Sequence, residues 1–177
     1  GAYSAWNLGK KINMTKLVEE AKTGRWGEVV ALDEIGNPEV SVRNAEVMAK
    51  EGVEVIPVFH FGDPWDVLME YKAKYRKVGL SCCLGEPRNE SLAWLEDCFG
   101  RAWPHKFHSF GWVDEKVLTR FPFHSADSSS WALSAHGFGR WKFAHGQNLG
   151  LSRKAGREAG GMANLRPEVN WYLGLQD

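Results

Sequence analysis

The feature that most constrains this chain is alternation. Short apolar, β-branched runs recur at Glu28 to Ile35 (EVVALDEI), Val53 to His60 (VEVIPVFH), Lys77 to Cys83, Lys106 to Phe110 and Phe123 to Ser128, with amphipathic segments between them. Pro38 opens one such segment, in which Val42, Ala45, Val47, Met48 and Ala49 are apolar, and Gly52 closes it. Pro64 opens PWDVLMEYKAKY, with Trp65, Leu68, Met69 and Ala73 on one stripe, and Asn89-Glu90-Ser91 leads into SLAWLEDCFGRAW. The short segment DEKVLTRF follows the fourth run, and Thr15 to Trp26 reads as a helix whose strand lies at or before Gly1. Proline in the first turn and glycine just past the end are ordinary helix punctuation.

Alternation of this kind predicts βαβ units and a parallel sheet, because parallel neighbours need a crossover that a helix supplies. Nearly continuous apolar runs agree, since such strands are buried on both faces. No Gly-x-Gly-x-x-Gly follows any run, which argues against a dinucleotide-binding sheet. The expected fold is α/β, a (β/α) TIM-type barrel or barrel-like sheet over residues 1–137. A complete eightfold barrel typically needs ~250 residues, with ~200 as a floor. At 177 residues, the barrel is therefore expected to be incomplete at its N-terminus. Its open edge would be covered by missing residues, by the tail, by a second copy in a homodimer or by a partner chain.

Composition narrows the classes further. The chain holds 22 Lys and Arg against 22 Asp and Glu, whereas a general nucleic-acid or membrane-surface binder carries a basic excess. No apolar run of ~18 residues and no secretory leader are present, so a cytoplasmic protein is expected. Nine Trp, four Tyr and nine Phe are too many aromatics for a disordered chain. The three cysteines, Cys82, Cys83 and Cys98, suit a reduced setting rather than a disulfide framework. The balanced charge is an average: residues 1–137 hold 16 basic against 19 acidic residues, and residues 138–177 hold 6 against 3. In that Gly-rich tail, Arg140, Trp141, Lys142 and His145, then Arg153, Lys154 and Arg157, interleave aromatics with cations. This pattern suits stacking on bases and pairing with phosphates, or a solvated helix with a tryptophan packed on the barrel.

The polar residues cluster where a parallel sheet binds its ligands, beyond the C-terminal ends of the strands. The runs end at Asp33-Glu34, at His60 with Gly62-Asp63, at Ser81-Cys82-Cys83, at His108 and at Asp127. One Asp after a strand is commonly a helix cap and a lone His commonly a packing residue; five in succession point to a site. Two chemistries fit. Asp33, His60, His108 and Asp127 could bind a divalent metal that activates water, as in a metal-dependent hydrolase, although no His-x-His or His-Glu-x-x-His pair is present. Alternatively, one carboxylate could attack or stabilise an anomeric carbon while another handles the leaving base's proton.

GAYSAW at 1–6, VALDEIGNP at 30–38, IPVFHFGDP at 56–64, KFHSFG at 106–111 and FHSADSSSW at 123–131 resemble the tRNA-guanine transglycosylase superfamily. The likeness is strongest to its short bacteriophage-type branch, linked to 7-deazaguanine in nucleic acid. The resemblance runs from Gly1 to Trp131 and implies a barrel that exchanges a purine base through a covalent sugar–aspartate intermediate. It implies a pentosyltransferase whose partners are a purine-type base and DNA or tRNA, phage-encoded and acting in the host cytoplasm, with no cofactor and no membrane. By resemblance, Asp33 with Glu34 is the base-reading strand end. His60, Gly62, Ser81, Gly85, His108 and Gly111 then line the substrate pocket. The nucleophile position falls at Ser130, and Asp127, the carboxylate beside it, takes the catalytic role. Two departures stand out. The Asp-Ser that precedes this glycine in the family does not precede Gly1, and residues 132–177 lack the cysteines of the family's zinc site, so no structural metal is expected. A degenerate, non-catalytic barrel used for binding or structure is the alternative that the missing Asp-Ser and the serine at the nucleophile position support.

Overall fold

The computed structural model describes residues 12–81 and 85–127, together with the backbone of 140–142 and 148–150. Helix α1 (Met14–Ala21) starts where the Asn13 side chain accepts from the Lys16 N–H at 3.1 Å. Strand β1 (Val29–Val30) leads to α2 (Pro38–Lys50), which Asn37 caps by accepting from the Val40 N–H. Pro38 occupies the first turn, where its missing N–H costs nothing, and Gly52 turns the chain at φ +83°. Strands β2 (Val55–Ile56) and β3 (Val58–His60) precede α3 (Trp65–Lys74) and β4 (Lys77–Ser81). Then come α4 (Arg88–Ala102), β5 (Lys106–Phe110), α5 (Glu115–Arg120) and β6 (Ser125–Asp127).

Every pairing among these strands is parallel, and the order follows the sequence. β1 pairs with β2, and β3-β4-β5-β6 form a four-stranded sheet. VEVIPVFH reads as one strand, but the ladder is interrupted at Pro57, which has no N–H to donate. The Pro57 carbonyl accepts from the Gly79 N–H at 2.8 Å, so the two halves remain one path between β1 and β4. The expected α/β class with a parallel sheet is therefore what the chain adopts, with strand order that never reverses. Among the described residues no helix is long and apolar enough to cross a membrane.

Side-chain alternation separates the two sheet faces. Phe59, Val78, Leu80 and Phe107 pack with Leu68 and Tyr71 of α3, Trp94, Leu95, Cys98 and Phe99 of α4, and Val117 and Phe121. Phe99 anchors this core, edge-on to Phe107 at 4.9 Å and stacked on Phe121 at 5.5 Å. A smaller cluster joins Val18, Ala31, Ala45, Met48 and Val55. The stripe read on α3 is corrected here. Leu68 and Tyr71 are the buried positions, whereas Met69 is 44% exposed and Ala73 is exposed, because an aromatic at i+3 removes more apolar area from water. Helix α1 also stops at Ala21, short of Trp26, where Thr23 and Gly24 turn the chain.

On the opposite face, the register lays residues in rows: Val58, Gly79, His108 and Ser125, then His60 beside Ser81 and Phe110 beside Asp127. Gly79 leaves room there for Phe110, since a Cβ would lie 2.1 Å from Cε2 of that ring and force it to shift. At the N-terminal strand ends, Lys77 Nζ reaches Glu28 Oε2 at 2.6 Å, bridging across the strand that separates them. In the tail, β7 (Arg140–Lys142) and β8 (Asn148–Gly150) form an antiparallel pair, so these six residues are extended, and the rest of the tail, for which a solvated helix was considered, lies outside the described residues.

Candidate functional site

Two carboxylate–imidazole pairs stand at the C-terminal ends of the strands. The first joins elements 27 residues apart: Asp33, just past β1, places Oδ2 2.8 Å from Nε2 of His60 at the end of β3. Both side chains are nearly buried, 11% and 9% exposed. A carboxylate has no proton to share, so the imidazole donates through Nε2–H and is held in that orientation. The β3–α3 turn closes on the same residue. Gly62, at φ +89°, lets the chain double back, so that Asp63 Oδ2 accepts from the His60 N–H at 2.9 Å and the Asp63 N–H donates to the His60 carbonyl at 3.1 Å.

Burial pushes the Asp63 carboxyl above the usual range; the negative charge of Asp33 adds to this, and the His60 N–H opposes it. The Tyr71 hydroxyl is pushed up by burial, reinforced by the negative charge of Asp63. Nδ1 of His60, the Tyr71 hydroxyl, the Trp94 indole N–H and Nε2 of His105 are buried without a hydrogen-bond partner among the described residues, and of these four residues His60 is the one that lines the cavity. A cavity of about 260 Å³ opens beside His60, lined by it and by Phe61, Gly62, Asp63, Ser81 and Glu86 and by Ile35, Gly36 and Pro38.

The second pair lies on β5 and β6. His108 Nδ1 is 2.8 Å from Ser125 Oγ, and its Nε2 is 3.3 Å from Asp127 Oδ1. Asp127 is 64% exposed and His108 14%. The Gly111 N–H, at φ +73°, donates to the Asp127 carbonyl at 2.9 Å and ties the two strand ends together.

Comparison with protein-family models, with curated proteins and with solved structures finds no match. What the chain does is therefore read from its own residues. His60, Gly62 and Ser81 share the cavity. Asp33 stands behind His60 and is not among the lining residues. Glu34 turns away: its carboxylate accepts from Asn37 Nδ2 at 3.3 Å and its N–H donates to Ser41 Oγ at 2.8 Å, so it serves the start of α2. Gly85 is a turn residue at φ +111° outside the cavity lining. His108, Gly111 and Asp127 form the second cluster. Ser130, Cys82, Cys83, Arg153, Lys154 and Arg157 lie outside the described residues, as do the side chains of Arg140, Trp141 and Lys142.

Glu86 is a cavity residue that the sequence did not single out, and Asp63, read there as a strand-end group, was left out of the pocket-lining set. The Gly-Asp-Pro after a strand was a usable signal for Asp63, because an aspartate between a left-handed glycine and a helix-opening proline is held close to the strand end. Among the described residues, no group of three or more His, Cys, Asp and Glu side chains is arranged to hold a metal ion, so nothing there favours the metal-dependent alternative.

Proposed function

We propose that the chain is a transglycosylase-like enzyme that exchanges a guanine-type or 7-deazaguanine base in nucleic acid, and that its sheet is an arc of a (β/α) barrel. Sequential, unreversed parallel order supports the barrel, since doubly wound sheets reverse at a switch point. The observation that carries the functional reading is an exposed carboxylate, Asp127, on the same C-terminal strand edge as a small cavity rimmed by hydrogen-bonding groups. The motifs from VALDEIGNP to FHSAD, as far as Asp127, lie on and beside these elements.

In this reading the base enters the cavity. Its N–H groups are donors that carboxylates such as Asp63 accept, while Asp33 acts through the imidazole that it orients. An Asp127 oxygen bonds to the sugar's anomeric carbon as the bond to the base nitrogen breaks. The electron pair leaves with the departing base, which takes up a proton. The incoming base reverses these steps, loses a proton and regenerates the carboxylate. No cofactor is needed for that balance.

Binding is tested by melting. Guanine or a 7-deazaguanine is expected to raise the melting temperature of the protein, and Asp33→Ala to abolish the rise. No shift with any such base counts against the proposal.

A further inference from the structure

We propose that His108 positions the Asp127 carboxylate, and that Ser125 sets the imidazole tautomer in which it does so. The kinetic part of this proposal rests on the base-exchange reading; the tautomer part does not.

Ser125 and Asp127 are two residues apart on β6 and therefore on one face of the strand. His108 lies opposite Ser125 in the register, on the neighbouring strand. Its ring bridges the two, with Nδ1 at 2.8 Å from Ser125 Oγ and Nε2 at 3.3 Å from Asp127 Oδ1. The carboxylate can only accept, so the proton sits on Nε2. Nδ1 then keeps its lone pair, and the Ser125 hydroxyl donates to it. The ring is wedged as well as bonded: Phe110 packs against it at 4.5 Å, and Phe110 is itself seated in the space left by Gly79.

The result suits a carboxylate nucleophile. Oδ1 is held, yet 64% of the side chain faces solvent and remains open to a sugar. The attack forms a C–O bond from a carboxylate oxygen, so it asks no proton of His108. The same Nε2–H stays in place for the ester oxygen as the C–O bond forms and the bond to the base breaks. His108 acts by orientation, the kind of contribution for which a displacement of about 1 Å can cost ~10²-fold in rate.

The test uses the full chain with ¹⁵N-labelled histidine. Long-range ¹H–¹⁵N spectra of the wild type are expected to show His108 protonated on Nε2 and bare on Nδ1, a preference that both Asp127→Ala and Ser125→Ala weaken. In exchange assays with labelled guanine, His108→Gln, whose amide nitrogen replaces Nε2, is expected to outpace His108→Asn, whose amide replaces Nδ1, by about tenfold or more in kcat at similar KM. A His108 that carries its proton on Nδ1 overturns the proposal, as does an Asn variant that exchanges base as fast as the Gln variant. A wild type that exchanges no base while showing the Nε2–H signature overturns the base-exchange reading and leaves the positioning of Asp127 supported.

Discussion

Asp33 and His60 stand at strand ends 27 residues apart in the chain and meet in one nearly buried hydrogen bond of 2.8 Å. Which strand ends meet depends on pairings that no local pattern encodes, and β1 and β3 are joined only through the path around Pro57. The same holds for His108 with Asp127. Removing Asp33 leaves the His60 Nε2–H buried without an acceptor, so Asp33→Ala is expected to cost about 1–3 kcal/mol in urea unfolding, besides any loss of ligand binding. Asp63 carries a pH signature. Its carboxyl binds a proton more tightly folded than unfolded, so its contribution is full below 3.8 and is lost as pH rises through the raised folded value. Asp63→Asn keeps an oxygen for the His60 N–H and removes the buried charge. Its stability relative to wild type should improve as pH climbs from about 4 to 7, and a difference that stays flat over that range would contradict the assignment.

At the scale of elements, strand and helix identity followed from periodicity and punctuation, and strand length did not. EVVALDEI contains only two ladder residues, Val29 and Val30, because its polar end is drawn toward His60 and toward the start of α2 instead of toward a neighbouring strand. Gly79 sits inside a strand where glycine is ordinarily weakening, and no sequence signal marks Phe110 as the reason. Gly79→Ala should cost about 1–3 kcal/mol through overpacking. Combined with Phe110→Ala it should cost clearly less than the sum, which a double-mutant cycle by urea denaturation would detect. At the opposite strand ends, Lys77 is buried and Glu28 is 39% exposed. Glu28→Ala should therefore cost less than the ~3–5 kcal/mol of a fully buried pair, about 1–2 kcal/mol after solvent screening. The lysine holds the Glu28 carboxyl below the usual range, so this stabilisation is present above 4.5 and is lost as pH falls through the lower, folded value.

For the whole molecule, parallel order was legible because alternating strands and crossover helices leave few alternatives, and right-handed crossovers between successive strands carry the chain steadily in one direction. One consequence is a division of labour: the ion pair at the N-terminal strand ends supports stability, and the cavity and the two histidine–aspartate pairs gather at the C-terminal ends. The net charge of zero conceals a basic segment at 138–177 after an acidic 1–137. Base exchange by Asp127 at this edge, as proposed, is tested by incorporation of labelled guanine into tRNA or DNA by the wild type and by Asp127→Asn. Incorporation by the wild type and a loss of about 10⁴-fold or more in the variant are expected; incorporation by neither protein, or equally by both, overturns the proposal.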